Sequence, residues 1–518
     1  MKSPDVIIYD TTLRDGTQGE QVNFSAEEKL RIAHRLDDMG FHYIEGGWPG
    51  SNPKDVRFFE MVKEQPFRHA RLTAFGSTRK PGVRPENCRN LRALLGAGTP
   101  AVAIFGKSWD LHVTEILGIP LAENLDMIRD SVAWLKARDK EVIFDAEHFF
   151  DGYRRRPAYA LSTLKAAFDA GADRIVLCDT NGGAMPHDLR EAVRKAAAII
   201  PAGQLGIHAH NDCGLAVANS LAAVLAGVAM VQGTVNGYGE RCGNADLISI
   251  IGNLQIKMAR RCLPESSLQQ LTNLSHYVGE VANVRPLPFR PFVGRSAFAH
   301  KGGIHVNAIA KNPQAYEHIR PEQVGNHQRV LVSELAGKSN IAFKAKELGI
   351  ELGDHDAASR KIVREIKRLE NQGFQFDAAE GSLSLLMKKI TGAFREPFTL
   401  QCFSVTNVKT RNDPSLCQAT IKISVGNEEE LTAAEGNGPV NALDNALRKA
   451  LTKFYPQINE MHLVDFKVRI VEGSEGTAAK VKVLLDSRDG DEMWSTIGVS
   501  ENIIEASWQA LVDSIQYK

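Results

Sequence analysis

Leu205-Gly206-Ile207-His208-Ala209-His210-Asn211-Asp212 reads as a short apolar strand that ends in polar, metal-competent residues. In a strand, residues i and i+2 face the same side, so His208 and His210 point one way and can share one divalent ion. Two unrelated strand histidines are the plain alternative. The same design recurs along the first half of the chain. Apolar runs occur at Val6-Ile7-Ile8-Tyr9, Tyr43-Ile44-Glu45, Arg71 to Phe75, Ala101 to Phe105, Glu141 to Phe144, Arg174 to Cys178, Leu205 to Ile207 and Met230 to Thr234. Between them lie helical patterns, such as Ala26 to Met39 before Gly40 and Leu161 to Ala170 before Gly171, each closed by a glycine C-cap signal. Strands alternating with helices imply parallel βαβ units, and eight of them in roughly 240 residues predict an α/β fold of the (β/α)8 TIM barrel type. A doubly wound open sheet is the competing fold, but no GxGxxG follows the first strand.

A barrel of this kind carries its chemistry just after the strands. Arg14 and Asp15 follow the first strand, Glu45 ends the second and Glu147 ends the fifth. Asp179-Thr180 ends the sixth, His208 and His210 the seventh, and Gly237 to Ala245 follows the eighth. Scattered polar residues would show no such preference.

At 518 residues the chain is too long for one ordinary domain, and 43% hydrophobic content supports large cores. The barrel is expected over 1–285. Arg285-Pro286-Leu287-Pro288-Phe289-Arg290-Pro291 breaks regular structure, and 286–395 reads as a mostly helical linker region, with Ile362, Ile366 and Leu369 on one helical face. Residues 396–518 alternate apolar and polar, as in Gln418 to Ile423 and Ala479 to Leu484, and repeat weakly. Glu430 to Gly436 leads to a helix from Val440, and Glu492 to Gly498 leads to a helix from Asn502, predicting an α+β domain of two βββα halves. This domain has no catalytic cluster, which favours sensing or dimerisation.

Lys+Arg and Asp+Glu are both 62, so the net charge is zero and neither nucleic acid nor an anionic membrane is the expected partner. Seven cysteines, an odd count without a CxxC pair, point to a reducing, cytoplasmic setting. The N-terminal residues show no signal-peptide pattern, and no run is apolar enough for a membrane helix.

Asp10-Thr11-Thr12-Leu13-Arg14-Asp15-Gly16 is the second informative stretch. A capped turn explains its residue types, but an Arg-Asp pair at a barrel mouth offers more. Asp15 can add a hard carboxylate to the two imidazoles, and Arg14 a planar cation suited to a carboxylate or enolate oxygen. Such oxygen and nitrogen ligands fit Mg2+, Mn2+, Co2+ or Zn2+.

Thr11 to Gly16, the His208-Ala209-His210-Asn211-Asp212 stretch and Gly237 to Ala245 together resemble three motifs of the metal-dependent Claisen-condensing enzymes, the 2-isopropylmalate, homocitrate and citramalate synthases. The layout and the C-terminal repeat match as well, so the resemblance spans essentially the whole chain. Ile44 to Asp55 and Asp179-Thr180-Asn181-Gly182-Gly183 resemble the citramalate synthase branch. The resemblance implies condensation of acetyl-CoA with pyruvate, with the 2-isopropylmalate synthase reaction on 3-methyl-2-oxobutanoate as the alternative. It implies a metal held by Asp15, His208, His210 and Asn244, and a substrate carboxylate held by Thr180. Arg14 would stabilise the growing oxyanion. Glu147 is the first candidate for the base, unless it only orients Arg14. His305 and Tyr316 would assist that step or the later thioester hydrolysis. The glycines around Asn244 would let backbone approach the pantetheine arm. A homodimer and isoleucine sensing by the C-terminal domain are implied too.

Two departures stand out. Thr17-Gln18-Gly19-Glu20 replaces the usual continuation of the Arg-Asp-Gly motif, and Asp145, two before Glu147, puts a carboxylate where relatives place an apolar or small polar residue that helps choose the keto acid. Cys178 and Cys213 read as packing residues, His34 and His42 as surface or packing, and His300 as structural. A retro-Claisen acyl-CoA lyase and a non-catalytic amino-acid sensor are the remaining readings. The C-terminal domain argues against the first and the intact polar set against the second.

Overall fold

Eight parallel strands, β1 (Ile7–Asp10), β2 (Tyr43–Gly47), β3 (Arg71–Ser77), β4 (Ala101–Lys107), β5 (Glu141–Glu147), β6 (Arg174–Asp179), β7 (Leu205–Ala209) and β8 (Met230–Gly233), close into a barrel in sequence order. Closure is the parallel pairing of β1 with β8, in which Asp10 lies opposite Gly233. The computed structural model describes residues 5–333, 336–352, 355–409, 411, 416–471, 476, 478–490 and 492–518. Each apolar run of the sequence is one strand, because strands covered on both faces carry apolar residues on both.

Side chains alternate across each strand. One set packs inside the barrel (Tyr9, Tyr43, Phe75, Ala103, Ile143, Val176, Met230). The other packs outward under the helices (Ile8, Ile44, Leu72, Val102, Val142, Ile175, Val231). The helix Ala26–Asp38 starts at a capping box between Ser25 and Glu28 and stops before Gly40, whose φ of 82° suits glycine. A Cβ on Gly40 would also meet the Pro264 ring at 2.7 Å.

The chain divides into two compact units, residues 1–298 with 319–327 and residues 299–318 with 328–518. The sequence-based linker, 286–395, is therefore shared between them. In the second unit the short strands β9 (Ala299–His300) and β10 (Arg329–Val330) pair, and the helix His355–Glu370 buries Ile362 and Ile366. The C-terminal repeat is present as two antiparallel three-stranded sheets, each followed by a helix. β11 (Thr399–Val408), β12 (Leu416–Val425) and β13 (Glu428–Gly436) precede the helix Pro439–Leu451, and β14 (Met461–Ile470), β15 (Val481–Asp489) and β16 (Glu492–Ser500) precede Ile503–Tyr517.

The helix Glu380–Thr391, just before 396, packs on both parts of the second unit: Leu383 and Met387 join Ile362 and Ile366 in one core, and it also contacts the C-terminal domain. Within the helix Glu380–Thr391, the Ser382 hydroxyl donates to Asp513 (2.6 Å) and accepts from the Ile497 backbone N–H (3.0 Å). That helix has one face built for β16 and the last helix, a packing relationship that helical periodicity alone does not reveal. All seven cysteines are free; Cys178 is buried, but Cys213 is exposed and is not the packing residue expected of it. Among the described residues no helix is long and apolar enough to cross a membrane.

Candidate active site

The turn after β1 is tied down by its own polar residues. The Asp10 carboxylate accepts from the Thr12 backbone N–H and hydroxyl, and the Thr12 hydroxyl accepts from the Val235 backbone N–H (2.8 Å), which pins the turn to the loop after β8. The backbone N–H groups of Arg14, Asp15 and Gly16 all donate to the Thr11 carbonyl, curling Arg14 and Asp15 back over the barrel mouth.

Asp15 meets the β7 histidines there. Its Oδ2 lies 3.3 Å from His208 Nε2 and 3.7 Å from His210 Nε2, and the two Nε2 atoms are 3.2 Å apart. All three residues are buried, and their ligand atoms lie within 4.8 Å of one another. Burial alone would raise the Asp15 carboxyl, but the Arg14 guanidinium, with His208 and His210, holds it well below the usual carboxylate range. Asn244 donates to Asp15 Oδ2 (3.1 Å), and its own amide oxygen is buried without a hydrogen-bond partner. Two imidazole nitrogens and a carboxylate converging on one point fit a divalent cation, and the neighbouring Asn244 amide oxygen is a buried acceptor without a partner. Gly239 (φ 158°) sits so close to this amide that a Cβ would meet Asn244 Nδ2 at 2.2 Å. These loop glycines make room for Asn244 and for the loop's own backbone.

Arg14 is aimed by Glu45, and Glu147 has another partner. Arg14 Nε donates to Glu45 Oε1 (2.5 Å), Nη1 pairs with Asp15 (3.0 Å), and the guanidinium lies 3.6 Å over the Phe75 ring. Glu45, fully buried, also accepts from the Tyr9 and Thr11 hydroxyls. Glu147 pairs with Lys107, its register neighbour on β4, so orienting Arg14 is not its role.

Thr180 presents a free proton to the site. Its Oγ1 accepts from the His148 backbone N–H (2.9 Å), so its hydroxyl hydrogen is available as a donor. Its carbonyl accepts from Arg241, whose guanidinium also grips Asp212 through two nitrogens.

Arg14, Asp15, Asp145, Glu147, Thr180, His208 and His210 all line one cavity of about 230 Å3, with Cys178, Gln18 and Glu240. Its remaining wall is aromatic: Trp48, Phe75 and Phe105 pack with ring centroids 5.6 to 5.7 Å apart. A bulge in β2 between Glu45 and Gly47 re-aims the chain at Trp48. The buried Lys29–Asp55 pair secures it: Lys29 donates to the Gly46 carbonyl and Asp55 accepts from the Trp48 N–H. Burial pushes the Cys178 thiol well above its usual range, which disfavours the thiolate that a nucleophile needs.

Asp145 is deeper than a surface carboxylate. Burial, with Glu45 nearby, raises its pKa to about 7, and it accepts from Gln232 Nε2 (3.1 Å). Gln232 in turn accepts from His208 (3.0 Å). Sequence reasoning passed over Gln232 and Lys107; the one signal for each was a polar residue in or at the end of an apolar strand.

A second cavity, about 530 Å3, opens beside Asn244 and is lined by Gly19, Glu20, Gly237 to Gly243, Arg285 and Arg290. His305 and Tyr316 belong to the second unit, where both are exposed and their rings stack at 4.2 Å. His300 there is hydrogen-bonded to Glu317, in accord with a structural role.

Family comparison places this site among known proteins. Residues 5–278 match the HMGL-like family, 292–373 the homocitrate synthase post-HMGL domain-like family, and 377–518 the LeuA allosteric (dimerisation) domain. The chain is 55% identical to an (R)-citramalate synthase of Geobacter sulfurreducens over 99% of its own length and 97% of the relative's. It is 54% identical to an (R)-citramalate synthase of Aquifex aeolicus, again over 99% and 97%. A 2-isopropylmalate synthase of Methanocaldococcus jannaschii is more distant, at 31% over 99% and 94%. With matches that run through all of its domains, the chain belongs to the HMGL-like family, in the group formed by the 2-isopropylmalate, homocitrate and (R)-citramalate synthases.

Proposed function

We propose that the protein carries out the (R)-citramalate synthase reaction: acetyl-CoA, pyruvate and water give (R)-citramalate and CoA. The observation that carries this reading is the aromatic wall of Trp48, Phe75 and Phe105 in the same small cavity as the Asp15–His208–His210 cluster. A keto acid whose polar end faces that cluster meets bulky rings with its side chain, which suits a methyl group better than an isopropyl group. The 52–55% identity to several (R)-citramalate synthases supports the same substrate.

Asp15, His208 and His210, with the Asn244 amide oxygen, would hold the divalent ion (Mg2+, Mn2+, Co2+ or Zn2+), which when bound supplies Lewis-acid polarisation of the keto acid. The protein's own groups do the rest. Thr180 donates its free hydroxyl proton to the substrate carboxylate. Glu147, a carboxylate on the cavity wall, takes a methyl proton from the acetyl group. The carbanion carbon attacks the keto carbon, and Arg14, fixed by Glu45 and stacked on Phe75, stabilises the charge that grows on the keto oxygen. The larger cavity beside Asn244, with Arg285 and Arg290 on its rim, suits the pantetheine arm and phosphates of acetyl-CoA. His305 and Tyr316 are assigned, from the family resemblance, to the same proton transfer or to thioester hydrolysis.

The LeuA-type domain supports oligomerisation and allosteric control. A homodimer inhibited by isoleucine, the end product of a pathway through citramalate, is the form we propose. CoA-thiol release, measured with a panel of 2-oxo acids, tests the reaction: pyruvate should be the preferred acceptor. A clear preference for 3-methyl-2-oxobutanoate would assign the chain to 2-isopropylmalate synthesis instead.

A further inference from the structure

His208 and His210 resemble each other in sequence but not in their surroundings. His208 Nδ1 lies 3.0 Å from Gln232 Oε1, whereas His210 Nδ1 is buried with no hydrogen-bond partner. Gln232 is fully buried inside the barrel on β8, and its register partner on β7 is His208 itself. Its Nε2 donates to Asp145 Oδ1 on β5 (3.1 Å), across the barrel interior. A side-chain amide can point either way, and only its neighbours decide. The Asp145 Oδ1 on this contact accepts from the NH2 end of Gln232, which leaves the amide oxygen for His208. That oxygen needs a donor, so the His208 proton sits on Nδ1 and the Nε2 lone pair faces Asp15 and His210.

From this chain of contacts we infer that Gln232 and Asp145 are positioning residues for the metal, acting through His208: Asp145 sets the direction of the Gln232 amide, and the amide sets the tautomer and ring angle of His208. The inference rests on reading Asp15, His208 and His210 as the metal-binding set. It gives Asp145 a role that its place in the cavity wall does not, and it accounts for an acceptor oxygen at that position. Partners one step behind a histidine ligand orient it and raise its basicity.

Cobalt(II) affinity of the metal-stripped protein, measured by calorimetry with the cobalt absorption band as a second readout, is the test. Gln232→Met, close in volume but without an acceptor, should weaken cobalt(II) binding by about 10- to 100-fold. Asp145→Leu should weaken it about tenfold, while Asp145→Asn, which still offers an oxygen, should stay within about twofold of wild type. Asp145→Leu added to Gln232→Met should cost nothing further, since both act on one contact. Wild-type protein that takes up cobalt(II) together with unchanged affinity in Gln232→Met would overturn the proposal alone. So would equal affinity in Asp145→Leu and Asp145→Asn, a comparison that still decides the matter if Gln232→Met does not fold. Failure of the wild type to take up cobalt(II) would overturn the metal site, and the proposal with it.

Discussion

Arg14 Nε donates to Glu45 Oε1 across 2.5 Å, so the cation that follows β1 is aimed by a fully buried carboxylate on β2. A hydrogen bond between charged groups contributes roughly 1.5–3 kcal/mol, and its loss frees Arg14 to tilt away from the reacting oxygen. Glu45→Gln should therefore lower kcat about 10- to 100-fold with little change in the KM for pyruvate. Glu45→Ala should also lose roughly 3–5 kcal/mol of stability by stranding a buried charge. Steady-state kinetics with thermal melts separate the two effects.

The aromatic wall predicts a specificity change. Trp48→Ala opens the cavity where Trp48 packs edge-on to Phe75 and Phe105. Each additional methylene of substrate in an apolar pocket is worth roughly 1–3 kcal/mol. The ratio of kcat/KM for 3-methyl-2-oxobutanoate to that for pyruvate should rise at least about tenfold in this variant. An unchanged ratio would place the keto acid side chain elsewhere.

Metal removal should be reversible and should change stability. The Asp15–His208–His210 cluster exists only in the folded barrel, so an ion bound there stabilises it by about 2.7 kcal/mol at 100 times its dissociation constant. Chelated protein should lose CoA release and melt at a lower temperature, with both restored by Mn2+ or Mg2+. Asp15→Ala should show no metal-dependent rise in Tm.

His42 predicts a pH effect away from the site. Its Nδ1 accepts from the Ile8 backbone N–H (3.0 Å), and burial lowers its pKa from 6.5 to about 4. The folded state holds His42 neutral, so its stabilisation is present above pH 6.5 and is lost as the pH falls to about 4. At 1.36 kcal/mol per pH unit, the loss is at most about 3 kcal/mol. Denaturant melts of the wild type and His42→Gln should diverge with pH: between pH 6.5 and 4 the wild type should lose more stability than the variant. Parallel curves would remove His42 from the acid response.

The domain edge makes a truncation informative. Removing 377–518 takes the helix Glu380–Thr391 away with the sheets it packs on and uncovers Ile362 and Ile366, whereas a cut at 396 keeps that core and leaves Ser382 unpaired. The shorter protein should escape inhibition by isoleucine and run as a smaller oligomer in light scattering. The cut at 396 should melt higher than the cut at 377, because it keeps Leu383 and Met387 over Ile362 and Ile366.

The barrel was legible because its strands are covered on both faces and therefore appear as unbroken apolar runs, each ended by the polar residue that reaches the mouth. His208 and His210 were legible for the same reason, since a spacing of two sets a shared side whatever the tertiary fold. Partnerships were not. Whether Arg14 meets Glu45 or Glu147 depends on strand order around the barrel and on side-chain reach, and both carboxylates sit after strands in the same way. Gln232 passed as a strand residue because its value comes from register with His208, which no spacing within β8 reveals. The helix Glu380–Thr391 joins the linker core through Leu383 and Met387 and the C-terminal domain through Ser382, and a helix pattern does not name either surface it covers.

Asp15 follows the first strand and Asn244 the last, and their hydrogen bond joins positions 229 residues apart. The histidines come from β7, on the far side of β8 from Asp15. An ion held by all of them is a clasp on the barrel's seam. A nascent chain still short of β8 owns Arg14, Asp15 and both histidines, yet has no closed ring to bring them together. The full set of groups assigned to the ion would therefore come together only once β8 has closed the ring.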